Sequence, residues 1–218
     1  MLALGFVFDM DGTLFDTETI SLDAMDTVAS EFGMSLPEEF KLGLLGLPSE
    51  EIKQRFLSTF GDDFDYARFR SRKIEVQDAA VEKDGVPLKP GLTEILEYGR
   101  AQGISMAVAT STSRYRAINL LTKAGVVPYF QYILCGDEIK NGKPHPEIFM
   151  TAAEKLGLMP EECIAFEDSR NGIISAHRAG MFAILIPDKI EPDREMADAA
   201  DLVCDSLFDA VEYIKKHA

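Results

Sequence analysis

One stretch near the start of the chain constrains its fold more than any other. Leu4-Gly5-Phe6-Val7-Phe8 is a short apolar run rich in strand formers, and it ends abruptly in Asp9-Met10-Asp11-Gly12-Thr13. A run with no polar alternation reads as a strand buried on both faces, as in parallel sheets. Its end delivers two acids to the carboxyl edge of that sheet, where open α/β sheets bind their ligands. In extended geometry Asp9 and Asp11 share a side. Two close carboxylates repel, so a cation or a shared proton is implied. Gly12 permits a tight turn or a close backbone approach.

The rest of the chain falls into two kinds of sequence. From Thr17 to about Val81 there is no convincing strand. Leu22, Met25, Ala29 and Phe32 follow helical spacing, Ser49-Glu50-Glu51 is a helix start, and Tyr66, Phe69, Lys73 and Val76 mark another helix. The segment from Lys83 to Gly91, with two glycines and two prolines, reads as a linker. From Leu92 onward helices and strands alternate. Strands are expected at 104–109, 132–135, 163–166, 182–186 and 202–204, with helices at 92–98, 116–123, 147–156, 172–178 and 207–216. The fold class is therefore α/β, a parallel sheet covered by helices on both faces, with an inserted all-helical module. Residues 1–15 and 87–218 are expected to form the core domain and 16–86 the helical insert, joined by two crossings that suggest a hinge.

Composition narrows the function classes. A net charge of −15 over 218 residues argues against nucleic acid and against a polybasic membrane surface. Cys135, Cys163 and Cys204 form no Cys-x-x-Cys pair and read as small buried hydrophobes of a reducing compartment. No signal peptide and no bilayer-length apolar stretch is legible, so a soluble, cytoplasmic protein is expected. A monomer or weak dimer is the expected state.

Three further stretches carry chemistry. Thr110 and Ser111 follow the apolar run that ends at Ala109, and a hydroxyl there is positioned to bind an anion. Thr112 and Ser113 are rivals, because hydroxyl runs after strands also cap helices. In Gly142-Lys143-Pro144-His145-Pro146-Glu147, Pro144 biases Lys143 toward extended backbone and Pro146 suits the first turn of a helix, so Lys143 is held in a fixed loop. His145 reads as a loop histidine. In Ala165-Phe166-Glu167-Asp168 an apolar strand again ends in two acids, the oxygen ligands that a hard ion such as Mg²⁺ takes.

Phe8-Asp9-Met10-Asp11-Gly12-Thr13-Leu14-Phe15-Asp16-Thr17, followed in order by Thr110, Lys143 and Glu167-Asp168, resembles the four motifs of the haloacid dehalogenase-like (HAD) superfamily, in its phosphatase and β-phosphoglucomutase branch. The resemblance implies a Rossmann-like core with a helical cap inserted after the first motif. It implies a Mg²⁺-dependent phosphatase acting on a small phosphorylated metabolite, sugar phosphates being the first substrate class it suggests. By the same resemblance Asp9 is the nucleophile that forms an aspartyl-phosphate, and Asp11 is the general acid and base. Thr110, with Ser111 as the nearest rival, and Lys143 hold the phosphoryl group. Asp9, the main-chain carbonyl of Asp11, Asp168 and, directly or through water, Glu167 bind the metal.

Two alternatives stay open. A phosphosugar mutase of the β-phosphoglucomutase type carries a cap histidine shortly after the first motif and basic residues around a cap glycine. Here Ser21 stands at the first position and Leu45 and Ser49 at the others, which favours hydrolysis. The basic cap residues Arg68, Arg70, Arg72 and Lys73 read first as a solvated helix face. The other alternative is a non-catalytic binding or regulatory protein of the same fold, and the four filled motif positions weigh against it.

Overall fold

The computed structural model of the chain describes residues 3–47 and 49–217. It divides into two compact units, Met1–Asp16 with Val86–Ala218, and Thr17–Gly85. Among the described residues no helix is long and apolar enough to cross a membrane.

The first unit is built on β1 (Gly5–Phe8), β2 (Ser105–Ala109), β3 (Tyr132–Leu134), β4 (Cys163–Glu167), β5 (Phe182–Leu185) and β6 (Leu202–Val203). They form one sheet in the order β3-β2-β1-β4-β5-β6, and every neighbouring pair is parallel. This is the Rossmann order, and its direction of winding reverses between β1 and β4. The helices of the unit are α5 (Leu92–Gln102), α6 (Arg114–Lys123), α7 (Glu147–Leu156), α8 (Arg170–Ala179), α9 (Arg194–Ala199) and α10 (Leu207–His217).

Alternation along the strands sends side chains to both faces of the sheet. Val7, Ala107, Ala109, Ala165 and Ala183 pack with Ile148, Phe149, Ala152 and Ala153 of α7 and with Ile173 and Ala176 of α8. Small strand residues on this face let the helices approach closely. Phe6 and Phe8, which alternate with Val7, meet Phe166 of β4 instead. Phe8 and Phe166 stack with centroids 4.6 Å apart, and Phe6 meets Phe166 edge-on at 5.2 Å. These rings tie together β1, which is followed by Asp9, and β4, which ends at Glu167.

The second unit contains α1 (Thr17–Glu31), α2 (Glu38–Leu42), α3 (Ser49–Phe60) and α4 (Tyr66–Asp84), with no strand among its described residues. Its core is aromatic: Phe56 lies within 4.9–5.8 Å, centroid to centroid, of Phe40, Phe60, Phe64, Tyr66 and Phe69. Met25, Val28 and Ala29 of α1 close the cluster. The basic stretch of α4 is largely surface structure. Arg72 pairs with Glu31 and Glu75, and Arg68 lies over the Phe32 ring.

The sequence reading departs from the structure in a few places. The expected linker from Lys83 starts later, because α4 runs on to Asp84 and the chain turns at Gly85. Helices α2 and α9 were not anticipated. Both are too short for periodicity to register, and α9 begins instead at a side-chain cap, Asp193 accepting from the Met196 amide at 2.9 Å. All three cysteines are buried and unpaired. Burial pushes their thiols up, to about 12 for Cys135 and about 11 for Cys163 and Cys204, so they act as apolar side chains.

Phe166→Ala is expected to destabilise the protein by about 3–5 kcal/mol, since it empties the space between Phe6 and Phe8. For a chain of this size that corresponds to a fall of roughly 6–20 °C in melting temperature. A thermal denaturation curve displaced by less than ~2 °C would show that the ring stack does not hold β1 to β4.

Candidate active site

The residues singled out from the sequence converge at the carboxyl edge of the sheet, around the point where the winding reverses. β1 and β4 run in register with Phe8 beside Phe166, and the Asp9 amide donates to the Phe166 carbonyl at 2.9 Å. Asp9 therefore leaves the sheet beside Glu167. The following loop folds back on itself: the amides of Leu14 and Phe15 donate to the Met10 carbonyl at 2.9 and 3.1 Å, and Gly12 donates to Phe15 at 2.8 Å. Met10, Leu14 and Phe15 are fully buried and fix the loop from below. Gly12 has φ +86°, and a Cβ there would lie 2.2 Å from Oδ2 of Asp168. Glycine thus serves two needs, the left-handed backbone and the approach of Asp168. Thr13 Oγ1 donates to Oδ1 of Asp168 at 3.0 Å.

Lys143 is the centre of the charge distribution. Its ammonium donates to Oδ1 of Asp9 at 2.5 Å, to Oε1 of Glu167 at 2.6 Å and to the Ala109 carbonyl at 3.0 Å, so all three of its N–H groups are used by the protein. The side chain is 6% exposed. Burial alone would push its pKa down; Asp9 and Glu167 outweigh burial and hold it above the usual lysine range. Asp9 is raised well above the usual carboxylate range. Burial is the largest cause, Lys143 opposes it, and Glu167 and Asp11 add to the rise. The two acids that Lys143 serves at once hold the proton on its ammonium.

The loop that presents Lys143 is itself built. Glu147 at the start of α7 accepts from the amides of Lys140 and Asn141 at 2.7 and 3.0 Å and from the Asn141 side chain at 2.8 Å. From α8, Ser175 Oγ donates to the His145 carbonyl at 2.7 Å, and Arg178 donates to the Pro144 carbonyl at 3.2 Å. The Lys143–Pro144 peptide bond is cis. His145 is a loop residue whose Nδ1 accepts from the Glu147 amide at 3.2 Å.

Glu167 is fully buried and occupied on both oxygens. Oε1 receives Lys143, and Oε2 accepts from the amides of Asp168 and Ser169 at 3.0 and 2.9 Å and from Ser169 Oγ at 3.0 Å. A Cβ on Gly172 would lie 1.7 Å from Oε1, so α8 carries a glycine in its first turn where the carboxylate passes. With this set of donors Glu167 holds Lys143, and a direct bond from it to a metal would displace one of them.

The hydroxyls after β2 divide unequally. Thr110 is fully buried; its Oγ1 accepts from the Thr112 amide at 3.0 Å and lies 3.4 Å from Oδ2 of Asp11. Thr112 Oγ1 makes the short contact to the same oxygen, at 2.6 Å. Ser111 is exposed, its carbonyl packed against Gly136. Of the rival hydroxyls, Thr112 is the one joined to Asp11. The signal for it was the hydroxyl run itself, but not which member turns inward.

Two carboxyl groups, Asp9 and Glu167, thus pair with the ammonium of Lys143, and two more, Asp11 on the loop that follows β1 and Asp168 just after β4, are held by the hydroxyls of Thr112 and Thr13. Oxygen-only donors with negative charge in excess suit a hard divalent cation. A sequence model of the haloacid dehalogenase-like hydrolases matches residues 6–186, which span every one of these groups. The chain belongs to that family. Among HAD relatives, the chain is 33% identical over 175 residues to a phosphorylated carbohydrates phosphatase of Thermotoga maritima, covering 80% of this chain and 81% of that protein. It is 31% identical over 182 residues to the fructose-1-phosphate phosphatase YqaB of Escherichia coli, covering 83% and 94%. A β-phosphoglucomutase of Clostridium difficile superposes with a TM-score of 0.80 at 26% identity, covering 98% of this chain and 96% of that one.

Glu167→Gln tests the electrostatic core of the site. Both oxygens of Glu167 face only donors, so the amide nitrogen of Gln would meet either Lys143 or the Asp168 and Ser169 amides. The expected outcome is a loss of roughly 3 kcal/mol in urea denaturation, because a buried ammonium loses its second acid and a donor faces donors. A change below ~0.5 kcal/mol would mean that Lys143 does not depend on Glu167.

Proposed function

We propose that this HAD hydrolase is a Mg²⁺-dependent phosphatase of small phosphomonoesters, sugar phosphates first, acting through an aspartyl-phosphate on Asp9. The observation that carries the reading is the pairing of the buried Asp9 with Lys143, with Asp11, two residues along the same loop, held by the hydroxyl of Thr112. The relatives named as phosphatases of phosphorylated carbohydrates and of fructose 1-phosphate support the substrate class.

The roles follow from what each group can do. Lys143 offsets the charge on Asp9, without which a phosphate dianion could not approach a carboxylate. Asp9 attacks phosphorus, forming a P–O bond to its carboxylate as the bond to the ester oxygen breaks. Asp11 gives its proton to the departing alkoxide. It then takes a proton from the water that attacks the aspartyl-phosphate, which releases inorganic phosphate and regenerates Asp9. Thr112 holds the Asp11 carboxyl on one oxygen, and Thr110 supplies a buried hydroxyl beside it. Asp9, Asp168 and the Asp11 carbonyl would hold Mg²⁺, which when bound supplies further charge to offset the phosphate.

A mutase is the second reading, favoured by the likeness to the C. difficile enzyme. It must hold a second phosphate, and Ser21, Leu45 and Ser49 offer no charge for one. A coupled assay for glucose 6-phosphate formed from β-glucose 1-phosphate separates the two reactions.

Asp9→Asn is expected to abolish phosphate release while the fold survives, and chelation of divalent ions should do the same reversibly. Undiminished turnover in either case would remove the nucleophile or the metal from the scheme. Asp11→Asn should lower turnover of a sugar phosphate by about 10²–10⁴. With p-nitrophenyl phosphate, whose leaving group departs without a proton, phosphorylation should survive and a phosphoenzyme accumulate. Rapid-quench kinetics on both substrates decide it, and equal losses in the first step would refute the division of labour between Asp9 and Asp11.

A further inference from the structure

The strand next to β4 is also followed by an acid. β5 runs in register with β4, Leu185 beside Glu167, and the Ile186 amide donates to the Glu167 carbonyl at 2.7 Å. The chain then turns through Pro187 to Asp188, on the same edge of the sheet as Asp168. A carboxylate oxygen of Asp188 lies within 4.8 Å of one of Asp168. The Asp188 side chain is only 5% exposed. Its Oδ1 receives Lys89 at 2.7 Å, with the Lys189 ammonium at 3.6 Å. Its Oδ2 is buried and, among the described residues, has no hydrogen-bond partner.

A buried carboxylate oxygen is normally satisfied, and the exceptions call for a missing donor. Here the exception belongs to a carboxylate that lies near a second one, that of Asp168. Lys89 engages the other oxygen, so it accounts for the burial of Asp188 but not for Oδ2. Mg²⁺ retains several of its waters when bound by one or two carboxylates, and each such water is a hydrogen-bond donor. We propose that Asp188 is a further acid of the cation site, facing the ion through its bound water by way of Oδ2 and taking part in metal retention, not in proton transfer. The inference rests on the metal-dependent reading of Asp9 and Asp168 given above. It assigns a role to the loop after β5, outside the four motifs recognised in the sequence.

The test is Mg²⁺ titration of the full chain by isothermal calorimetry, without substrate. Asp188→Asn keeps the shape of the side chain and an acceptor for Lys89 while removing the charge. It is expected to weaken Mg²⁺ binding by roughly 10–100-fold and to shrink the Mg²⁺-induced rise in melting temperature. Lys89→Met breaks the same ion pair from the other side and is expected not to weaken binding. The double variant Asp188→Leu/Lys89→Met removes both charges together, which buried pairs tolerate better than the loss of one, and should match Asp188→Asn. Equal weakening by Lys89→Met and Asp188→Asn would overturn the proposal in favour of a purely structural ion pair. Wild-type affinity in a folded Asp188→Asn protein would overturn it as well, leaving the metal site of Asp9 and Asp168 intact. A wild-type chain that binds no Mg²⁺ would remove both.

Discussion

The carboxyl edge of this sheet is a concentration of like charge, and one buried ammonium makes it tolerable. Lys143 reaches Asp9 from β1 and Glu167 from β4 in the same stroke, and spends its third hydrogen bond on the carbonyl of Ala109 at the end of β2. Three adjacent strands are thereby fastened at their ends to one atom. Removing either acid would leave an ammonium short of charge in a place water does not reach, and removing the lysine would leave acids facing one another. Much of the neighbouring architecture serves this contact. Glu147, Ser175 and Arg178 fix the loop that carries Lys143, and Gly172 leaves room for Glu167. Gly12 leaves room for Asp168, the acid that remains turned toward the first loop.

What was legible in the sequence follows the same logic. Apolar runs that stop at acids announced β1 and β4, and the stops themselves marked the candidate site. The alternation of helix and strand after Leu92 gave the parallel sheet, and the strandless stretch before it gave the helical insert. Pairing was out of reach. Nothing in Phe6-Val7-Phe8 says that its partner is Phe166, more than a hundred residues on, and so nothing says that Lys143 must serve both acids. The hydrogen bonds of Glu167 were hidden for that reason. Its residue type fits a metal ligand as well as a lysine partner, and its donors could not be read from the sequence. Thr112 was visible only as one hydroxyl in a run. Asp188 follows an apolar strand much as Asp9 does, but Pro187 separates it from the run and it was not singled out from the sequence.

The junction between the two units has a consequence of another kind. The outgoing and returning chains pair before the insert begins: the Asp16 amide donates to the Pro87 carbonyl at 2.9 Å, the Lys89 amide to the Leu14 carbonyl at 3.0 Å, and Phe15 bridges Leu88 in antiparallel fashion. The core thus ends in a closed neck of its own making, with entry and exit side by side. An insertion between adjacent points adds little closure entropy however long it is, because that cost grows only with the logarithm of loop length. The helices from Thr17 to Gly85 can therefore lengthen, shorten or be exchanged for others while the charged edge of the sheet stays as it is. A chain built this way can trade one insert for another and leave its neck and its sheet unchanged.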